Sequence, residues 1–129
     1  MTHNVFVAIQ TNLKHHAERT LLTIPNGRQL TGSDLDRESA ILAGALMGLG
    51  LEAGDRVSAQ IEKGWMNVVL YLAVLRSGAV YLPLNSAYTN SEIEYFVTDA
   101  ESKLHICSSD RAEHVESLRS QIPELQVLT

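Results

Sequence analysis

The stretch "LRSGAVYLPLNSAYT", Leu75 to Thr89, decides the fold. Just before it, "VVLYLAVL" from Val68 to Leu75 is apolar nearly all round, the pattern of a helix buried on more than one side. After Ser77-Gly78 the pattern changes at once to a strand-like run, Ala79 to Leu84. Pro83 has no amide hydrogen to donate, so sheet pairing is expected to end there. A helix that runs straight into a buried strand is half of a βαβ unit, and the rest of that pattern is sought outward in both directions.

Upstream, Val57, Ala59 and Ile61 alternate with Arg56, Ser58 and Gln60, predicting a strand with an apolar face and a polar one. A helix is expected before it from Ser33, a capping residue type, with Asp34 and Asp36 at the positive end of the dipole. Its apolar face would be Leu35, Leu42, Leu46 and Leu49, and Gly50 would close it. Pro25-Asn26-Gly27 reads as the turn of a small hairpin, and Val5, Ile9 and Leu13 as one face of a short first helix. Downstream, Thr89 and Glu92 have the spacing of a capping box for a helix whose inner face is Ile93, Phe96 and Val97. Lys103–Cys107 alternates as a strand, Asp110 opens a helix through about Arg119 with Ala112, Val115 and Leu118 inward, and Gln126–Leu128 begins a last strand. The expected class is therefore α/β: a layered, mainly parallel sheet with helices on its faces, in one domain over 1–129.

Composition excludes several functions. Of 129 residues, 45% are hydrophobic and 19% charged, which is globular usage. A net charge of −5 with scattered Lys and Arg argues against nucleic acid as a partner. The longest apolar run is too short to span a membrane, and the N-terminus lacks the pattern of a secretory signal. Cys107 is the single cysteine, so no disulfide framework or cysteine-built metal site is available, and a reducing, cytoplasmic setting is the simplest expectation.

No catalytic motif is complete. There is no Walker loop, no Rossmann glycine fingerprint, no Gly-x-Ser-x-Gly elbow and no His-Glu-x-x-His pair. Among the histidines (His3, His15, His16, His105, His114), the adjacent His15 and His16 are expected to point different ways at a helix end, and His105 to lie on the less buried strand face. Cys107, with no partner His in reach by sequence, reads as a small buried hydrophobe. Glu92, Glu94, Asp99 and Glu101 read as the solvated face of one helix. Ligands of parallel sheets sit beyond the carboxyl ends of strands, here Glu62-Lys63-Gly64-Trp65 and Pro83-Leu84-Asn85-Ser86. At both places turn, cap and packing roles account for the residues.

The sequence "VLRSGAVYLPLN", Val74 to Asn85, resembles the second core motif of the acyl-adenylate-forming (AMP-binding) superfamily. Leu30-Thr31 opening a helix through Leu35 resembles the first core motif, and "GLGLEAGDRV", Gly48 to Val57, resembles the approach to the next strand. Within the superfamily the run from Glu62 to Lys103 is most similar to malonyl-CoA synthetases and close acyl-CoA ligases, through "YLPLN", "AYT" and "TDAE". Two departures stand out: Gly32 where the first motif usually has Tyr, and Arg76-Ser77 where Lys-Ala is more frequent.

The resemblance implies the N-terminal subdomain of the adenylate-forming fold and a parent ligase that joins a carboxylic acid to CoA through an acyl adenylate. ATP, Mg2+ and CoA are implied for that parent and none for this chain, because the family's phosphate loop would lie beyond Thr129. No catalytic, cofactor-binding or metal residue is therefore assigned here. The expected partner is the remainder of the parent ligase, with self-association through exposed faces. The rivals are a free-standing small α/β binding or interaction module and a flavodoxin-like or receiver-like domain, which would need an acidic cluster or phosphate loop that this chain lacks.

Overall fold

The computed structural model describes residues 5–129, so His3 lies outside the described residues. In chain order the elements are α1 (Val5–His15), β1 (Thr20–Thr23), β2 (Gln29–Thr31), α2 (Gly32–Gly48), β3 (Arg56–Gln60), α3 (Trp65–Arg76), β4 (Val80–Pro83), α4 (Asn90–Ala100), β5 (Leu104–Cys107), α5 (Ser109–Glu116), a 3-10 turn (Ser117–Ser120) and β6 (Gln126–Leu128). They divide into two compact units, one of residues 1–50 and 63–78, the other of residues 51–62 and 79–129.

The first unit holds three helices and an antiparallel hairpin, β1 against β2. Its core gathers Phe6 and Leu13 of α1, Leu30 of β2, Leu35 of α2, and Val69 and Leu72 of α3. The inner face of α1 is shifted from the expected Val5, Ile9 and Leu13: Val5 is 55% exposed, and Phe6, at the i, i+3, i+7 spacing with Ile9 and Leu13, turns inward in its place. Arg76, in the last turn of α3, pairs with Asp36 at 2.8 Å and lies 4.8 Å over the Phe6 ring. Partial burial pushes the Asp36 pKa up, but hydrogen bonds from Arg76 and Gln10 outweigh this and hold the carboxyl below the usual range.

The start of α2 differs from the sequence expectation. The N-cap is Thr31 rather than Ser33: Thr31 Oγ1 accepts from Asp34 N at 3.1 Å, and the Asp34 carboxylate accepts from Thr31 N at 2.9 Å. Leu30 is fully buried, so the helix begins directly after it. That leaves Gly32 against the end of α1, where a Cβ would stand 2.6 Å from the backbone oxygens of both Leu13 and His16. No side chain fits there, which accounts for glycine at this position. Leu49, expected on the inner face, is instead the half-exposed C-cap residue.

The second unit is built on a four-stranded parallel sheet in the order β4-β3-β5-β6. Leu82, Ser58, His105 and Val127 share one register line across it, and residues in register lie on the same face. Leu82 and Val127 pack with Ile93 and Val97 of α4 and Val115 of α5, so this face is covered by helices. Two expectations fail for that reason. His105 is 0% exposed rather than on an open face, and the supposed polar side of β3 is closed beyond the exposed Arg56, with Ser58 at 0% and Gln60 at 3% exposure.

The strand read as buried, β4, is an edge strand with Val80 51% exposed. Its pairing also runs one residue past the proline, since Leu84 N donates to Ala59 O at 2.8 Å. Pro83 is tolerated because an edge strand needs donors on one side only. Gly78, which links α3 to β4, has φ +75 and donates to Leu75 O, so its role is a left-handed helix stop.

Candidate functional site

The carboxyl edge of the sheet in the second unit is where a parallel sheet presents ligand-facing loops. Here the segment from Leu84 to Thr89 is held from several directions. Gln60, at the end of β3, donates through Nε2 to the carbonyls of Asn85 (3.2 Å), Ser86 (3.4 Å) and Tyr88 (3.1 Å). Asn85 Oδ1 accepts from Ala87 N at 2.8 Å, forming an Asx turn, and the Tyr88 ring stacks on Phe96 with centroids 5.2 Å apart. Thr89 then caps α4, its Oγ1 accepting from Glu92 N at 3.3 Å and donating to Glu92 Oε1 at 3.1 Å. The reciprocal half of the expected capping box thus runs through the hydroxyl.

The sequence reading missed Gln60, because alternation put it on a solvent face. The signal was a polar residue at the last position of a strand, where the next loop must have its carbonyls satisfied. This edge has donors and acceptors fixed in place; its carboxylate, Glu92, is engaged by the Thr89 hydroxyl, and Cys107, in register with Gln60, is a buried thiol whose pKa burial pushes up. Its chemistry is that of a positioning scaffold. The other stretch weighed, Glu62 to Trp65, is divided: Glu62, Lys63 and Gly64 are exposed, while Trp65 joins the core of the first unit with the Arg28 guanidinium 5.5 Å over its ring. It is a packing aromatic, as expected.

Ser58 Oγ and His105 Nδ1 lie 2.6 Å apart, the spacing of a nucleophile and its base. Both are sealed under α4 and α5, and His105 Nε2 has no partner, so nothing orients the ring for catalysis. Burial pushes the His105 pKa down to about 4, which keeps the imidazole neutral. His15 and His16 do not diverge: their rings meet edge to face with centroids 5.1 Å apart. His114 Nε2 lies 3.2 Å from Asn90 O, a link between α5 and the start of α4.

Cys107 is buried, and burial pushes its thiol pKa up, the opposite of an activated nucleophile. Glu94 and Asp99 are at least partly open to solvent, and Glu101 closes α4 in a left-handed conformation. Among the described residues no group of three His, Cys, Asp or Glu is placed to hold a metal ion. Nor is any helix among them long and apolar enough to cross a membrane.

The AMP-binding enzyme family matches residues 9–129. A medium-chain fatty-acid–CoA ligase of Escherichia coli (strain K12) is 30% identical over 107 residues, covering 78% of this chain and 19% of its own length. Tyrocidine synthase 1 of Brevibacillus parabrevis is 32% identical over 87 residues, which are 67% of this chain and 8% of that protein. The crystal structure of apo MatB from Rhodopseudomonas palustris superposes with a TM-score of 0.90 at 35% identity, over 98% of this chain and 25% of its own. The chain thus spans about a quarter of the MatB chain, and its α/β architecture is that of the N-terminal region of acyl-CoA ligases.

Proposed function

The chain belongs to the AMP-binding enzyme family, and from that premise we propose that it serves as the N-terminal scaffold of an ATP-dependent carboxylic acid–CoA ligase. The observation that carries this reading is the match to MatB over 98% of the chain. Malonate is the acid we propose for the whole enzyme, on the likeness of the "YLPLN", "AYT" and "TDAE" segments to malonyl-CoA synthetases. A cytosolic setting is part of the proposal, with the lone, buried Cys107 in its favour.

The chemistry of such a ligase sets a clear demand. A carboxylate must approach a polyphosphate, so cationic groups or a metal ion must neutralise the charge that builds up at the α-phosphate. Among the described residues no group of three His, Cys, Asp or Glu is placed to hold a metal ion. Mg-ATP and CoA would be held by the remainder of the ligase, and no chemical step is assigned to a residue of this chain. What the chain supplies is a rigid sheet edge. Gln60 and the cap at Thr89 fix the loop that such an edge would present to the rest of the enzyme.

The test is a graft in which residues 1–129 replace the corresponding N-terminal quarter of MatB, assayed for acyl-CoA formation on malonate and a panel of other acids beside intact MatB. Activity within about tenfold of MatB, a loss of no more than about 1.4 kcal/mol in transition-state stabilisation, is expected. A folded graft without activity on any acid would refute the scaffold role. The 129-residue chain alone is expected to release no pyrophosphate from ATP.

A further inference from the structure

Among the asparagines of the sequence, Asn26 alone is followed by glycine. The pair forms the tip of the hairpin between β1 and β2, where every residue from Pro25 to Gln29 is exposed. Two hydrogen bonds shape this tip: Arg28 N donates to Asn26 Oδ1 at 2.9 Å, and Gly27 N donates to Ile24 O at 2.8 Å. The first folds the carboxamide back along the main chain, beside the peptide nitrogen that follows it, and draws electron density from the carboxamide carbon. A side chain on the next residue would screen that nitrogen. Gly27 has none, and nothing stands within 4 Å of where a Cβ would be.

Asn85 is the contrast within the same molecule. It too is exposed, and its Oδ1 accepts from Ala87 N at 2.8 Å in the same kind of turn. The next residue there is Ser86, whose Cβ crowds the nitrogen, and Gln60 holds the carbonyls of Asn85 and Ser86 in place. At the hairpin tip the Gly27 nitrogen is held by one backbone bond at the surface, and exposed turns open locally at little cost.

We propose that Asn26 is a site of spontaneous deamidation, a covalent modification that remodels the hairpin tip. When the bond from Gly27 to Ile24 opens, the Gly27 nitrogen gives its proton to solvent base and bonds to Asn26 Cγ. The carbon–nitrogen bond of the carboxamide breaks, ammonia leaves and a cyclic imide remains. Water then opens the imide. Attack at Cγ leaves aspartate in an unchanged main chain, and attack at the main-chain carbonyl leaves isoaspartate, with the side-chain methylene now part of the main chain. Either product adds a carboxylate beside Arg28. Aspartate keeps the acceptor for Arg28 N, whereas isoaspartate lengthens the turn and pulls apart the bond from Ile24 N to Arg28 O (2.8 Å). The Arg28 guanidinium then leaves its place 5.5 Å over the Trp65 ring, and Trp65, the single tryptophan, reports the change.

The test incubates the 129-residue chain at mildly alkaline pH, native and in urea, and follows it by peptide mass mapping, ammonia release, isoaspartate methyltransferase labelling and Trp65 fluorescence. In the native chain, conversion at Asn26 at least about tenfold faster than at Asn85 is expected, with Trp65 emission shifting in proportion to isoaspartate. Gly27→Ala puts a methyl on a residue at φ +89, which strains and loosens the turn, so opening alone would speed the reaction. Slowing by about tenfold is expected instead, because the Cβ screens the nitrogen. Asn26→Asp, the product without rearrangement, should leave the Trp65 emission where it was. A native Asn26 that stays intact while the urea-unfolded one converts would overturn the proposal, as would equal conversion at Asn85 or an undiminished rate in Gly27→Ala.

Discussion

Acidification acts on this protein through His105. Its imidazole is 0% exposed, makes one hydrogen bond to Ser58 and leaves Nε2 unpartnered, so a proton can be added only at the cost of a buried charge. The folded pKa is about 4, against an unfolded reference of about 6.5. Between those values the unfolded chain binds the proton and the native one does not, so stability is fully present above about pH 6.5 and falls as pH drops towards 4. Worked through, this costs about 2 kcal/mol at pH 5 and about 3 kcal/mol once pH passes below the folded pKa. Asp34, Asp36 and Asp110 are held below their usual 3.8, so their contributions are lost only at lower pH and leave this window to His105. Urea unfolding at pH 7 and pH 5 measures the loss. The double variant Ser58→Ala/His105→Val replaces both partners with apolar groups, and should stay within about 1 kcal/mol of the parent at pH 7 while losing most of the drop at pH 5. An unchanged pH dependence in that variant would refute the assignment.

Gly32→Ala would drive a methyl into the backbone oxygens of Leu13 and His16, so a loss of about 1–3 kcal/mol with loosening of α1 is expected by thermal unfolding and amide exchange. Thr31→Ala removes the cap hydroxyl of α2 and should cost about 1 kcal/mol in urea unfolding. Gln60→Leu leaves three loop carbonyls without their donor. About 1–3 kcal/mol is expected, and cleavage between Leu84 and Thr89 in limited proteolysis should quicken; an unchanged cleavage rate would show that the loop orders itself. Exposed apolar side chains on α2 and α3, including Ile41, Met47 and Met66, predict self-association of the isolated chain, checked by sedimentation at rising concentration.

What the sequence by itself determined was the order and type of the elements and the family. The switch of apolar period at Ser77-Gly78, the Thr-x-x-Glu spacing at Thr89 and the turn at Pro25-Asn26-Gly27 are local signals, and local backbone preferences answer to them. What only the tertiary structure decided was which side of each strand is closed. Alternation in β3 and β5 separates two faces but does not say whether a helix covers the polar one. Once α4 and α5 lie over the line from Leu82 to Val127, Ser58 and His105 must find each other and Gln60 must turn to the loop carbonyls. The position of β4 at the sheet edge and the steric demand for glycine at 32 arise the same way. Each depends on atoms far apart in the chain, and contact between distant residues leaves no period for a sequence to show.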